Sequence, residues 1–102
     1  MIFSIIVPVF NEEKTIISIL KELKKVNFKK FEKEIIVIDD GSTDNTKSLL
    51  ENNKDLFDSL HTNETNKGKG SAVRLGLKNA SGQYIVFQDA DLEYDPNDLL
   101  KL

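Results

Sequence analysis

Three acidic residues alternate in the sequence directly after an apolar run near the end of the chain. Asp89, Asp91 and Glu93 stand at every second position, and residues 84–87 before them are apolar. Alternate side chains of a strand point the same way, so Asp89 and Asp91 can present carboxylates to one point beyond the strand end. Carboxylates suit a hard ion such as Mg²⁺, which keeps coordination positions for water and phosphates. The pattern predicts a site for a metal-bound diphosphate. Glu93 either adds a further ligand, directly or through water, or is a solvated acid without a role in the site.

Two further polar clusters follow apolar runs earlier in the chain. Residues 2–10 form a β-branched and aromatic run that ends in Asn11 and Glu12, and residues 35–38 lead into the polar residues 39–42. Asn, Asp and Gly often follow strands only because they form turns and caps, so each cluster alone has an equally good structural explanation. Three such clusters at one sheet edge are better explained by a ligand site.

The order of the predicted elements indicates the fold class. Apolar runs without alternation are typical of strands buried on both faces of a parallel sheet, and segments with helical spacing lie between them. The predicted strands cover residues 2–10, 35–38, 84–88 and, more weakly, 56–61. Four helices are predicted: the first is capped by Asn11, the second runs from Ser42 or Asp44 to about Asn52, the third covers residues 68–80, and the fourth begins at Asp95. We therefore predict an α/β fold with a doubly wound, mostly parallel, Rossmann-like sheet, which binds ligands beyond the carboxyl ends of its strands.

Local signals give finer expectations about these elements. Asn11 is a favourable N-cap residue for the first helix. Gly41 suits a tight turn with positive φ. Asp39 and Asp40 are adjacent on an extended chain and face opposite ways, so only one of them can easily face a ligand. The small residues of the predicted helix 68–80 should let that helix approach the sheet closely.

A glycine-rich segment precedes that predicted helix. Residues 66–71 read Asn-Lys-Gly-Lys-Gly-Ser, an order that fails both the phosphate loop G-x-x-x-x-G-K-[ST] and the dinucleotide fingerprint. The segment can still place Lys67, Lys69 or Arg74 near an anion at a helix N-terminus. A solvated basic loop is an equally good interpretation.

Composition excludes several classes of protein. With 102 residues, 39% of them hydrophobic and 30% charged, the chain is at most one ordinary globular domain. A net charge of −3 argues against a nucleic-acid partner, and the lack of cysteine excludes disulfides and thiolate sites. Neither a leader sequence nor a run of about 18 apolar residues occurs. We expect no membrane span in this chain and a cytoplasmic location, with peripheral attachment at the cytoplasmic face of the membrane left open.

Taken together, four motifs resemble the family 2 glycosyltransferases. They are residues 7–12, 36–44, 66–70 and 88–92, and their joint order covers nearly the whole chain. The most similar subgroup is the dolichol-phosphate or polyprenyl-phosphate mannosyl- and glucosyltransferases. The resemblance implies a GT-A fold, a nucleotide-diphosphate sugar donor carrying GDP or UDP, Mg²⁺ or Mn²⁺ as cofactor, and inversion at the anomeric carbon.

The resemblance also implies roles for individual residues. It assigns the nucleotide pocket to Pro8, Phe10 and Glu12, contacts with base or ribose to Ile38 and Asp40, the diphosphate to Asp89 and Ala90, and the metal to Asp89, Asp91 and Glu93. No residue of this chain matches a catalytic base. A lipid-phosphate acceptor, already ionised, would need none.

The resemblance further implies that residues 1–102 are the nucleotide-sugar-binding part of a domain truncated at its C-terminus, inactive alone. Two alternatives stay open. One is a receiver-type signalling domain, which also clusters acids beyond a parallel sheet and binds Mg²⁺. The other is an inactive nucleotide-binding fragment.

Overall fold

A computed structural model describes residues 1–27 and 31–90 of the chain. Strands and helices alternate in it along the whole described sequence. The strands are β1 (Ile2–Val9), β2 (Glu32–Asp40), β3 (Ser59–Asn63) and β4 (Tyr84–Phe87); the helices are α1 (Ile16–Lys25), α2 (Thr46–Glu51) and α3 (Lys69–Asn79), with a 3₁₀ turn at Lys54–Leu56.

The four strands form one parallel sheet in the order β3-β2-β1-β4. The predicted α/β fold with a parallel sheet is thereby confirmed. In the central pair, β1 and β2 run in register from Ile2 beside Glu32 to Val9 beside Asp39. Their carboxyl ends therefore stop level with each other, which brings Asn11 near the segment that follows Asp40.

Two apolar layers cover the two faces of the sheet. One layer joins alternate residues of β1 and β2, such as Ile5 and Val37, to Leu20 and Leu23 of α1. The other layer joins the intervening strand residues to α3; its buried members are Ile6, Ile36, Ile38 and Ala72. Because β1 and β2 are apolar on both faces, their sequences lack a strand's usual alternation.

Helix α3 lies close to the sheet at Gly76, as its small residues predict. A Cβ atom built on Gly76 would lie 2.5 Å from Cγ2 of Ile6, a fully buried side chain of β1. Such an approach is possible only without a side chain at this position. The closeness brings the N-terminus of α3 near the carboxyl ends of the strands.

The opposite end of the sheet is fastened by a buried serine and a carboxylate. The Ser4 hydroxyl of β1 donates to Oε1 of Glu34 at 2.9 Å and accepts from the Gly82 amide at 2.8 Å. Ser81 donates to Glu34 through its amide at 3.0 Å and its hydroxyl at 2.7 Å. Burial alone would raise the pKa of Glu34, but the hydrogen bonds from Ser81 and Ser4 outweigh it and lower this pKa.

Two finer expectations from the sequence are wrong at the ends of elements, and one is confirmed. Asn11 does not cap α1, which begins at Ile16 after Thr15, because the Asn11 side chain contacts the segment after β2 instead. Strand β3 begins at Ser59 and not at Leu56, because a 3₁₀ turn occupies Lys54–Leu56. Of the two predicted caps of the second helix, Asp44 accepts from the Thr46 amide at the start of α2. The helix predicted from Asp95 lies outside the described residues.

The described helices are all too short or too polar to cross a bilayer.

Exchanging two glycines of α3 for alanine should change stability in opposite directions. Gly76→Ala should lower the free energy of unfolding by about 1–3 kcal/mol, because the new methyl group overlaps Ile6. Gly70→Ala should raise it by about 0.5 kcal/mol, since alanine favours the helix and its Cβ meets only Nη1 of Arg74 at 3.5 Å. Urea unfolding of both variants measures the difference; equal effects would contradict this packing of α3.

The Glu34 cluster should make stability depend on acid pH. Since the pKa of Glu34 is lower in the folded chain than its ordinary value of 4.5, its contribution is complete above that value and is lost as pH falls through the lower folded pKa. The free energy of unfolding should therefore fall more steeply from about pH 5 to pH 3 in the wild type than in Glu34→Gln. Ser81→Ala, which removes one donor, should give an intermediate slope, and identical slopes in all three proteins would contradict the interpretation.

Candidate functional site

A cleft of about 320 Å³ opens at the carboxyl ends of the strands. Its walls come from the ends of three strands, the segment before α3 and the first turns of that helix. The lining residues are Pro8, Val9, Phe10, Glu12, Asp40, Asn66, Gly68, Lys69, Ala72, Asp89 and Ala90. Six of the seven residues expected to bind the nucleotide lie in this lining, although they come from three separate parts of the sequence.

Ile38 is the exception among those seven. Its side chain is fully buried and packs with Ile6, Ile36 and Ala72 in the layer beneath α3. The Ile38 side chain is therefore not part of the cleft surface, and the expected contact of Ile38 with a base or ribose stays a prediction. Ile38 supports the cleft from below, and Asp40, two residues further along the same face of the strand, reaches it.

Asn11 ties the loop after β1 to the loop after β2. Its backbone adopts φ 52, a left-handed conformation that Asn tolerates better than most residues. Its Oδ1 accepts hydrogen bonds from the amides of Thr43 at 2.7 Å and Asp44 at 3.3 Å, and its own amide donates to the Ser42 hydroxyl at 3.0 Å. The two loops that carry Phe10, Glu12 and the residues after Asp40 therefore behave as one unit.

Asp44 strengthens this connection from the other side. Its Oδ1 accepts from the Thr46 amide at 2.9 Å at the start of α2, and its Oδ2 accepts from the Glu13 amide at 3.4 Å. Burial would raise the pKa of Asp44, yet the hydrogen bonds from Thr46 and Glu13 lower it overall. The carboxylate is thus held in its charged form, as a fixed connector between α2 and the loop after β1.

Asp40 is the polar centre of the cleft wall and is almost fully buried. Its Oδ1 accepts from Nδ2 of Asn63 at 2.8 Å and from the Lys67 amide at 3.0 Å, while its Oδ2 accepts from the Gly68 amide at 2.9 Å. Two carboxylate oxygens offer about four acceptor positions in total. One position on Oδ2 is left over for a donor on a ligand.

Asp39 faces the other side of the sheet, as expected for two adjacent strand residues. It is fully buried, and its Oδ1 accepts from the Ser42 amide at 3.1 Å. Within residues 1–27 and 31–90 its Oδ2 has no hydrogen-bond partner. Asp39 therefore holds the turn after β2, and Asp40 is the acid that lines the cleft.

Gly41 does more than permit a turn. It adopts φ 75, as predicted, but a Cβ atom at this position would also lie 2.4 Å from the carbonyl carbon of Thr65 and 2.5 Å from the Asn66 nitrogen. The segment before α3 therefore passes directly over Gly41. Sequence reasoning missed this contact because the two segments are more than twenty residues apart.

Asp89 and Ala90 form the third wall of the cleft. Nζ of Lys69, the first residue of α3, lies 2.5 Å from Oδ1 of Asp89, and both side chains are partly exposed to solvent. The Thr15 hydroxyl donates to the carbonyl oxygen of Ala90 at 2.5 Å, and the Gln88 amide donates to Ile6 at 3.0 Å. These bonds fix the chain after β4 against α1 and β1, so the Asp89 carboxylate has a defined place.

A family model described as Glycosyl transferase family 2 matches residues 4–102. The chain belongs to this family. The predicted family is therefore confirmed, and a receiver-type signalling domain is not favoured.

Two relatives, TarS and PcManGT, show the extent of the likeness within this glycosyltransferase family. TarS of Staphylococcus aureus, a poly(ribitol-phosphate) beta-N-acetylglucosaminyltransferase, is 39% identical over 99% of this chain and 18% of its own length. The crystal structure of TarS 1-349 in complex with UDP-GlcNAc has a TM-score of 0.83 and 39% identity, over 99% of this chain and 29% of that chain. The mannosyltransferase PcManGT from Pyrobaculum calidifontis, in complex with GDP-Man and Mn²⁺, has a TM-score of 0.77 and 31% identity, over 96% and 30% of the two chains.

An undecaprenyl-phosphate 4-deoxy-4-formamido-L-arabinose transferase of Proteus mirabilis is 33% identical over 97% of this chain and 32% of its own length. The chain thus spans less than half the length of these family 2 relatives. The agreement with solved glycosyltransferase structures confirms the expected GT-A type of fold.

Of the three predicted metal ligands, Asp89 lies at the cleft wall, where its carboxylate pairs with Lys69. A carboxylate is the kind of oxygen ligand that hard ions such as Mg²⁺ and Mn²⁺ prefer. The other two predicted ligands, Asp91 and Glu93, lie outside the described residues. Within the described ranges no group of three or more acidic or histidine side chains could hold a metal ion.

The two adjacent acids should respond differently to the same substitution. Asp40→Asn should lower the free energy of unfolding by about 1–3 kcal/mol, because an amide NH₂ must then face a backbone N–H that now donates to the carboxylate. Asp39→Asn can keep its oxygen on the Ser42 amide and turn its NH₂ toward the unpartnered side, so its cost should be smaller.

Thermal and urea unfolding of the two variants test this difference, and Asp39→Asn serves as the matched control. The result expected is a lower stability for Asp40→Asn than for Asp39→Asn. A larger loss for Asp39→Asn would contradict the assignment of Asp40 as the residue that holds the segment before α3.

Proposed function

We propose that residues 1–102 are the nucleotide-sugar-binding part of an inverting, metal-dependent glycosyltransferase. The observation that carries this proposal is that one cleft brings together Asp40 from the end of β2 and Asp89 from beyond β4. A single acidic cluster after a strand has an ordinary structural explanation, whereas two that converge with a lysine in one cleft are better explained by a ligand site. The family and the nucleotide sugars in related structures support the same conclusion.

The proposed donor lies across the cleft with its nucleoside near β1 and β2. Pro8 and the half-exposed Phe10 supply apolar surface for a base or ribose. The free acceptor position on Asp40 receives one ligand N–H or hydroxyl hydrogen. Three hydrogen bonds hold the buried Asp40 carboxylate in one orientation, so a donor group of the ligand can bind to it without rearrangement of the cleft wall.

The diphosphate lies at the other end of the cleft, beside Asp89 and Lys69. Asp89, together with Asp91 and Glu93, would hold Mg²⁺ or Mn²⁺, whose chemistry is to neutralise charge on the departing nucleoside diphosphate. Lys69 supplies a positive charge of the chain itself on the same side. Without such positive charge, a diphosphate about 4 Å from a carboxylate would be repelled strongly.

We propose that residues outside this chain bind the acceptor and supply any catalytic base, since the chain spans only part of the length of its relatives. Two acceptor classes are consistent with those relatives. A lipid phosphate is already ionised and needs no protein base, whereas a sugar or polyol hydroxyl needs one. A relative named as an undecaprenyl-phosphate transferase supports the lipid-phosphate class.

Nucleotides should stabilise the protein together with a divalent ion. The experiment compares the thermal shifts that UDP, GDP, UDP-GlcNAc and GDP-mannose, each with Mn²⁺, cause in the full-length protein. A nucleotide at about 100 times its Kd adds roughly 2.7 kcal/mol to the free energy of unfolding. We expect at least one nucleotide to raise the Tm, and Asp91→Ala to abolish that rise. The control Glu51→Ala, which removes an exposed carboxylate at the end of α2, should keep it. No rise with any nucleotide at millimolar concentration would overturn the proposal.

A further inference from the structure

The Asp40 carboxylate accepts a hydrogen bond from the side chain of Asn63, the last residue of β3. We propose that Asn63 is a positioning residue of the nucleotide site: its amide turns Asp40 so that the acceptor position left for a ligand lies on Oδ2. The inference rests on the proposed function and adds to it a residue outside the four sequence motifs. Asn63 lies between the motifs at residues 36–44 and 66–70.

Strand register brings Asn63 beside Asp40. The two residues are paired across the parallel strands β2 and β3, both of which end there. Paired residues of neighbouring strands point to the same face of a sheet, so both side chains lie on the α3 side. Nδ2 of Asn63 donates to Oδ1 of Asp40 at 2.8 Å. Asn63 is not among the described residues that line the cleft, so its effect on a ligand must pass through Asp40.

The three described donors divide the two oxygens of Asp40 unequally. The Lys67 amide donates to Oδ1 and the Gly68 amide donates to Oδ2, so the backbone gives each oxygen one hydrogen bond. Asn63 adds a second hydrogen bond to Oδ1. Since each carboxylate oxygen has about two acceptor positions, Oδ1 is then fully used and the free position lies on Oδ2. Asn63 therefore determines which oxygen receives the ligand.

Loss of the Asn63 amide would remove this difference between the oxygens. Each oxygen of Asp40 would then keep one free position, and the position on Oδ1 would face β3 instead of the cleft. Because Asp40 is only 3% exposed, that position must be filled by a water molecule or by rotation of the carboxylate. Either change weakens the contact with an N–H or hydroxyl group of the ligand.

The experiment measures by calorimetry how tightly the full-length protein binds a nucleotide with Mn²⁺. The nucleotide is UDP or GDP, whichever raises the Tm more. Asn63→Leu keeps about the size of the side chain but has no donor. It should bind the nucleotide roughly tenfold more weakly than the wild type.

Asn53→Leu is the matched control. Asn53 is also partly buried, and its Nδ2 donates to the Leu49 carbonyl at 2.7 Å. It lies before the 3₁₀ turn that leads into β3, at the opposite end of the sheet from the cleft. The same chemical change at this position should lower the stability and leave the affinity for the nucleotide as in the wild type.

Asn63→Asp gives a readout that a purely structural role would not produce. Its new carboxylate has nearly the size of the amide and lies beside Asp40, so at low pH the two acids share one proton. The shared proton takes the place of the lost N–H, whereas at higher pH the two negative charges repel each other. Asn63→Asp should therefore bind the nucleotide more than about tenfold more weakly than the wild type at about pH 8 and approach it at about pH 5. Asn63→Leu should show no such recovery.

Expressing each affinity as a ratio to that of the wild type at the same pH removes the other titrations. The nucleotide's own phosphate titrates equally in both measurements. The charged and titratable side chains around this site are also common to both proteins; they are His61 on the same face of β3, Lys67 beside Asp40, and Glu12, Lys69 and Asp89 in the cleft.

Two failures can be told apart. If the wild type binds the nucleotide and Asn63→Leu binds it equally tightly, or if Asn63→Asp gains nothing at low pH, the positioning role of Asn63 is wrong and the proposed function stands. If the wild type binds no nucleotide, the proposed function is wrong and the inference falls with it. Circular dichroism at each pH checks that the variants are folded, and if Asn63→Asp does not fold, Asn63→Leu decides alone.

Discussion

The carboxylate of Asp40 is the interaction on which the shape of the cleft depends. It stands at the end of β2, nearly buried, and accepts hydrogen bonds from Asn63 at the end of β3 and from the amides of Lys67 and Gly68. A buried charge is stable only when hydrogen bonds replace the water it has lost, so these donors must stay in place. Asp40 thereby fixes the segment before α3, and with it the base of Lys69.

The rest of the cleft is held in the same way. Beyond the carboxyl ends of the parallel strands, where regular secondary structure ends, contacts between loops keep the chain in place. Asn11 accepts from the amides of Thr43 and Asp44, Gly41 leaves room for the backbone of Thr65, and Thr15 holds the carbonyl of Ala90. Each contact joins loops that follow different strands. The walls are therefore ordered through contacts among themselves, and a ligand that enters them meets polar groups already in place, which lowers the cost of ordering them upon binding.

The sequence predicts the central strands well because the apolar residues that indicate each strand lie within the strand itself. Apolar runs such as residues 35–38 can only be buried on both faces, and the acids after them must lie at one sheet edge. The role of Asn11 was not predictable in this way, since a cap and a bridge to Thr43 require the same residue type. The ion pair of Lys69 with Asp89 depends on the close approach of α3 at Gly76, which spacing alone does not show. Most of the residues that line the cleft were thus predictable, whereas the contacts among them were set by tertiary packing.

The charges of the cleft bear on how an acidic chain would bind the anionic donor proposed for it. The net charge of −3 gives no general attraction for phosphates, so the positive charge must be local. Lys69 provides this positive charge, and Asp40 fixes the position of the backbone that carries Lys69. The carboxylate of Asp89 pairs with the Lys69 ammonium and neutralises its charge. The proposed ligand, a nucleoside diphosphate with a divalent ion, carries both negative and positive charge and would therefore suit a cleft wall whose own charges are paired.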